Sequence, residues 1–209
     1  MQAPVYGNPD TLDNQILCNG KLWRNIYTKI KGDPFLFSDE FLTGTVTIGS
    51  KTFNQVDIKY DIYNDELITV SDKGFIIQVN KEIIDAFSFR WNEKDFIFRK
   101  MSSDSLKNTG GFVNVLAEGE VSLFVRYRKD ITLLAVDNKY DQFNQVHRIY
   151  VTKNGETRLV NSKKELLNLL NDRRQEIRSF IKSNNLNVAR NNPESFRSVV
   201  EFYNNLQKK

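Results

Sequence analysis

The chain has one cysteine, Cys18, one histidine, His147, and four prolines in 209 residues. A lone cysteine excludes an intramolecular disulfide and any cysteine-based zinc site, and its ordinary reading is a buried thiol. A lone histidine confines histidine acid–base chemistry to His147, which has no nucleophile elbow beside it, and the chain has no metalloprotease helix motif. No apolar run approaches the roughly 18 residues that a membrane-spanning helix needs. No export signal is visible either, although the opening Met1-Gln2-Ala3-Pro4 also fits an initiator methionine placed before a trimmed mature protein. Charge of one sign is not in excess, since 30 Lys and Arg against 26 Asp and Glu leave +4.

What is present is a β pattern. An apolar content of 40%, with 12% aromatic residues, is ample for a core. From Thr43 to Trp91 the chain alternates with period two. Val56, Ile58, Tyr60 and Ile62 share one face and Asp57, Lys59 and Asp61 the other, the pattern of a half-buried antiparallel strand. Breaks at Tyr63–Glu66 and Ser71–Gly74 separate this strand from Leu67–Val70 and from Phe75, Ile77 and Val79, and Phe87, Phe89 and Trp91 follow on one face. After a short strand at Phe96–Phe98 and a polar loop from Ser102 to Gly111, a hairpin is predicted with Phe112–Leu116 on one arm and Val121–Tyr127 on the other, extended by Ile131–Val136. Asp137–Gln145 reads as a further loop, and Asn154-Gly155 as a type I′ turn between His147–Lys153 and Glu156–Val160. Residues 2–19 read as an irregular lead-in, and Lys21–Lys31 fits a helical turn as well as a strand.

At Ser162 the period changes to about 3.6. Ser162-Lys163-Lys164-Glu165 is a capping box ahead of Leu166, Leu167, Leu169 and Leu170. A second helix is predicted from near Asp172, with Ile177, Phe180 and Ile181 inward and Arg173, Arg174 and Arg178 outward. A third is predicted after Asn192-Pro193, with Phe196, Val199, Val200, Tyr203 and Leu206 on one face. The expected fold is therefore α+β: an antiparallel sheet of about eight to eleven strands, curved or barrel-like, followed by a C-terminal helical unit. Its expected divisions are 1–20, the lead-in; 21–161, the β domain; and 162–209, helices packed on that domain.

Several stretches imitate functional motifs. Gly44-Thr45-Val46-Thr47-Ile48-Gly49-Ser50-Lys51-Thr52 is one residue from a phosphate-binding loop, but Ser50 separates the glycine from the lysine and a strand follows where that loop needs a helix. A strand, a Gly-Ser-Lys turn and a second strand explain it. Asp57, Asp61, Asp65 and Glu66 gather carboxylates without the spacing of a calcium loop, and Asp137, Asn138 and Asp141 have the same standing. Paired carboxylates could serve glycoside hydrolysis only at a separation the sequence does not give. Arg126, Arg128 and Lys129 flank Tyr127, whose ring points away from the two arginines and so argues against base stacking. From Lys163 onward ten basic residues face five acids, a tail of +5 in which the two signs alternate; the reading is a solvated helix surface and no nucleic acid is expected.

Lys59-Tyr60-Asp61-Ile62-Tyr63-Asn64-Asp65-Glu66-Leu67, together with Ser162–Leu167 and Glu176–Ile181, resembles a group of uncharacterised exported β-rich proteins of Gram-negative bacteria with a helical C-terminal end. The resemblance implies a periplasmic or secreted location and supplies no catalytic residue. From the residues themselves, the expectation is a non-enzymatic binding or structural protein with a protein or glycan partner, and with no catalytic group, metal or cofactor. The alternatives are a carrier of a lipid-like ligand, with Tyr60, Phe75, Phe87, Phe89 and Trp91 lining an apolar cavity in the curved sheet, and a carboxylate-based hydrolase.

Overall fold

The alternating segments become strands in the computed structural model, which describes residues 16–102, 110–133 and 141–207. The strands are β1 (Gly20–Leu22), β2 (Leu42–Ile48), β3 (Lys51–Asp61), β4 (Glu66–Val70), β5 (Ile76–Val79), β6 (Ile84–Trp91), β7 (Lys94–Met101), β8 (Gly111–Ala117), β9 (Val121–Thr132), β10 (Gln142–Lys153) and β11 (Glu156–Leu159). They form one sheet in the order β1-β5-β4-β3-β2-β6-β7-β8-β9-β10-β11, antiparallel in its strand pairs, and three helices follow: α1 (Lys163–Leu169), α2 (Arg174–Ser183) and α3 (Glu194–Gln207). The barrel-like alternative is not what forms. The sheet stays open, because its end strands are only three and four residues long and each has a single strand neighbour; strands this short carry too few backbone groups to pair with each other or to invite a foreign strand.

The turns follow the chemistry of their residues. Gly49 and Ser50 join β2 to β3 with Gly49 at φ 60°, the glycine-first arrangement of a type II′ hairpin, which disposes of the phosphate-loop imitation. Asn154 (φ 53°) and Gly155 (φ 76°) make the expected type I′ turn between β10 and β11. Asn92 (φ 47°) and Glu93 (φ 64°) make another between β6 and β7. Of the segment that fits helix or strand equally, Lys21–Lys31, the start pairs in β1 and the last residue, Lys31, bridges Gln142; between them the chain is irregular as far as a turn closed by the Ile30 amide on the Tyr27 carbonyl. Residues 2–15 of the lead-in, 103–109 of the first polar loop, and 134–140, which take in the end of the expected extension Ile131–Val136 and the start of the expected loop Asp137–Gln145, lie outside the described residues, and that loop's last four residues belong to β10.

The contacts of the chain divide it into two compact units, one of residues 1–94 with 129–144, the other of residues 95–128 with 145–209. In the first, Val56, Ile58, Tyr60 and Ile62 of β3 and its extension are buried with Leu67, Ile77, Val79, Phe87 and Phe89. Gly44 of β2 is required there by packing: a Cβ on it would lie 2.1 Å from the Ser88 carbonyl oxygen and 2.9 Å from Ile58 Cδ1. In the second unit the three helices cover one sheet face. Leu123, Val125, Ile149 and Val151 from β9 and β10 meet Leu166, Leu167 and Leu170, Ile177 and Ile181 of α2, and Phe196, Val199, Val200 and Tyr203 of α3. A buried Asn204 on α3 completes this packing. Its Oδ1 accepts from the Val121 amide at 2.9 Å and its Nδ2 donates to the Val121 carbonyl at 2.8 Å, so one side chain meets both backbone groups of the residue that opens β9.

Candidate functional site

Four of the five aromatic residues expected to line an apolar cavity sit together in the first unit. Tyr60 meets Phe87 edge-on at 5.0 Å, Phe87 stacks on Phe89 at 6.4 Å, and Phe37 bridges Phe89 to Trp91, lying parallel to the Trp91 ring at 6.1 Å. Tyr60, Phe87 and Phe89 are buried, and their ring separations are those of interlocked core aromatics. The Tyr60 hydroxyl donates to Asp65 Oδ1 at 2.6 Å, and Lys81 closes on the other oxygen of the same carboxylate. Phe75 stands apart from this row, 54% exposed in the connection between β4 and β5.

The carboxylates between β3 and β4 also converge, with Asp61 directly opposite Glu66 in the strand register. Burial raises the pKa of both, and the neighbouring Asp61 charge adds to the effect at Glu66. The oxygens of Asp61 are nevertheless engaged. Oδ1 accepts the amides of Tyr63 and Asn64 at 2.9 Å each, and Oδ2 accepts Asn64 Nδ2 at 2.9 Å, so the group closes the turn out of β3. His147 is half-buried; its Nε2–H donates to the Arg190 carbonyl at 2.6 Å and its ring lies against Tyr127. Among the described residues no cluster of three or more His, Cys, Asp or Glu side chains is arranged to hold a metal ion.

A polar concavity lies elsewhere, in the second unit, between α1 and α2. It starts from the capping box. Ser162 Oγ accepts the Glu165 amide at 3.2 Å, and the Glu165 carboxylate turns back to the Asn161 amide at 2.8 Å and the Ser162 hydroxyl at 3.2 Å, which starts α1 at Lys163. A 3-10 turn over Asn171–Arg173 then reverses the chain into α2. Leu166, Leu167, Ile177 and Ile181 point into the core, so the remaining faces of the two helices border a groove of about 760 Å3, open to solvent. Five cations line it: Lys163 and Lys164 from the first turn of α1, and Arg174, Arg178 and Lys182 from α2, which recur at every fourth residue and so share a helix face. Half-buried Leu186, exposed Asn185 and the edges of the core residues Leu167 and Ile181 complete the lining.

The tail's five acids are each occupied away from the groove. Glu165 serves the cap, Glu176 pairs with Arg173 at 3.4 Å, and Glu194 and Glu201 both pair with Arg197, at 3.8 and 2.8 Å. Asp172 takes Lys153 on one oxygen and the Tyr203 hydroxyl on the other, at 2.7 Å. Burial works to raise the Asp172 carboxyl, but these two donors outweigh it and hold it below its ordinary value. Burial likewise works to lower Lys153, and its bonds to Asp172 and Tyr203 leave it raised. The alternation of sign read along the chain is therefore undone in space: the acids pair locally, and none of the five groove cations has an acidic partner among the described residues. Arg174 goes further, because its Nε is buried and has no acceptor, a state in which few buried donors are left.

Such a groove can hold an anion by two means. Its clustered positive potential attracts the anion, and guanidinium forks can grip oxyanions in a bidentate manner. The sequence did carry one signal for it, the Arg174, Arg178, Lys182 spacing, but the lysines brought alongside from α1 are a tertiary fact. Against known protein families, curated proteins and solved structures, the chain shows no match.

Proposed function

We propose that this chain is a non-enzymatic binding protein that engages an anionic partner through the groove between α1 and α2. The observation that carries the reading is the segregation of charge: five cations border one concavity while every acid of the same helical tail is bonded elsewhere. A solvated helix surface has no need to keep opposite charges apart, and the guanidinium forks of Arg174 and Arg178 can grip an oxyanion in a bidentate manner. The resemblance to exported proteins implies a location outside the cytoplasm, and the groove's charge calls for a protein, glycan or lipid-like partner rich in phosphate, sulfate or carboxylate.

Dextran sulfate serves as a polyanion probe. The wild-type chain is expected to bind it with an affinity that falls as salt rises, and the triple variant Arg174→Gln, Arg178→Gln, Lys182→Gln is expected to lose at least about tenfold at low salt. Replacement of three cations outside the groove, Arg90, Lys94 and Arg99, controls for net charge. Equal loss in both triple variants would remove the groove as the site.

A further inference from the structure

Resting on the anion-binding reading above, we infer that the groove's partner is an extended acidic segment of another polypeptide, whose alternate side chains carry the carboxylates that the cations of α2 take up. The spacing of those cations carries the inference. Arg174, Arg178 and Lys182 recur at every fourth residue of α2 and all line the groove, so they repeat about every 6 Å along about 12 Å of its wall. In an extended chain the side chains that share one side repeat about every 6.6 Å. Three carboxylates on alternate residues therefore keep step with the three cations to within about 1.5 Å over the whole row, a mismatch that long side chains absorb. Arginine forks grip carboxylates in a bidentate manner, and Lys163 and Lys164 of α1 add to the positive potential from the other border. The size of the groove selects the extended form. A volume of about 760 Å3 distributed along about 12 Å of wall leaves an average cross-section of about 60 Å2. An extended chain, about 4.8 Å by 10 Å in a sheet, needs about 50 Å2, whereas a helix about 10–12 Å across needs about 80–110 Å2. Single-stranded nucleic acid fits poorly, since it is held by stacking on aromatic rings and none of the lining side chains is aromatic. Arg178, Lys182, Lys163 and Lys164 are exposed, so such a segment reaches them directly from solvent.

The test compares two end-blocked peptides of the same composition and charge, Glu-Ser-Glu-Ser-Glu-Ser-Glu and Glu-Glu-Ser-Ser-Ser-Glu-Glu, for binding to the full chain at low salt, with dextran sulfate binding measured in parallel. The first carries its carboxylates on alternate residues and the second does not. The alternating peptide is expected to bind at least about fivefold more tightly, because complementary charge fixes register. Arg178→Gln, at the exposed middle of the row, should abolish that preference while dextran sulfate binding persists with a salt slope smaller by about one ion. Lys182→Gln, at the exposed end of the row, should reduce the preference and serves if Arg178→Gln melts early. Arg90→Gln, outside the groove, should leave it intact. Equal binding of the two peptides to the wild-type chain, or a preference that survives Arg178→Gln, overturns the inference. Groove-dependent binding of dextran sulfate with binding of neither peptide also overturns it, in favour of a sulfated glycan, and leaves the anion-binding reading standing. Binding of neither the peptides nor dextran sulfate overturns both.

Discussion

Glu93 occupies a left-handed backbone conformation at φ 64° as the second central residue of the turn between β6 and β7, a place where Asn or Gly would be expected. Its Cβ makes that conformation costly. Glu93→Gly is therefore expected to raise stability by up to about 1 kcal/mol, read from the midpoint of urea unfolding. Asn204 is the opposite case, a polar residue whose burial is fully compensated by the Val121 backbone. Asn204→Ala leaves a buried amide and carbonyl without partners and should cost about 2–3 kcal/mol in the same measurement. Gly44→Ala should also destabilise, by about 1–3 kcal/mol, because the added methyl would have to displace the Ser88 carbonyl oxygen. None of these three roles could be read from the sequence alone. Glutamate is not a turn residue, an asparagine in a helix pattern looks solvent-facing, and the glycine of β2 resembled part of a phosphate loop.

Among the elements, those whose pattern depends only on neighbours in sequence were legible. The alternation of Val56, Ile58, Tyr60 and Ile62 placed β3, Asn154-Gly155 placed its hairpin, and Ser162 with Glu165 placed the start of α1. The pairing of β2 with β6 was not legible, because a chain that meanders through β3, β4 and β5 before returning to β2 leaves no local trace of the return. The hold of β10 on the helical segment is likewise tertiary. Lys153 reaches Asp172 and the Leu169 carbonyl, and Tyr203 of α3 meets the same Asp172. Its pH dependence follows from the two shifts. Asp172 is lowered in the folded chain, so its contribution is present above the unfolded carboxylate value near 4 and is lost as pH falls through the folded value. Lys153 is raised, so its contribution is present below the unfolded value, about 10.4, and is lost as pH rises through the folded one. Asp172→Asn should lower the melting temperature at neutral pH and flatten its fall below about pH 4. Because Asp172 is nearly half exposed, with 45% of its side chain accessible, solvent screening keeps the effect small.

For the molecule as a whole, the sheet followed by helices was foreseen and the groove was not. Counting signs along the tail suggested a mixed, solvated surface; pairing them in space leaves Lys163, Lys164, Arg174, Arg178 and Lys182 facing one concavity. The aromatic residues singled out for an apolar ligand, Tyr60, Phe87 and Phe89, are core groups by their burial, and the concavity that gathers charge belongs to the helices. The most direct measurement of the central claim is the dissociation constant of the dextran sulfate complex as a function of salt, for the wild-type chain and for single Lys163→Gln, Arg174→Gln, Arg178→Gln and Lys182→Gln variants. The account predicts a linear fall of log affinity with log salt whose slope becomes shallower by close to one ion in each groove variant. Slopes unchanged by all four substitutions, with binding intact, would contradict it.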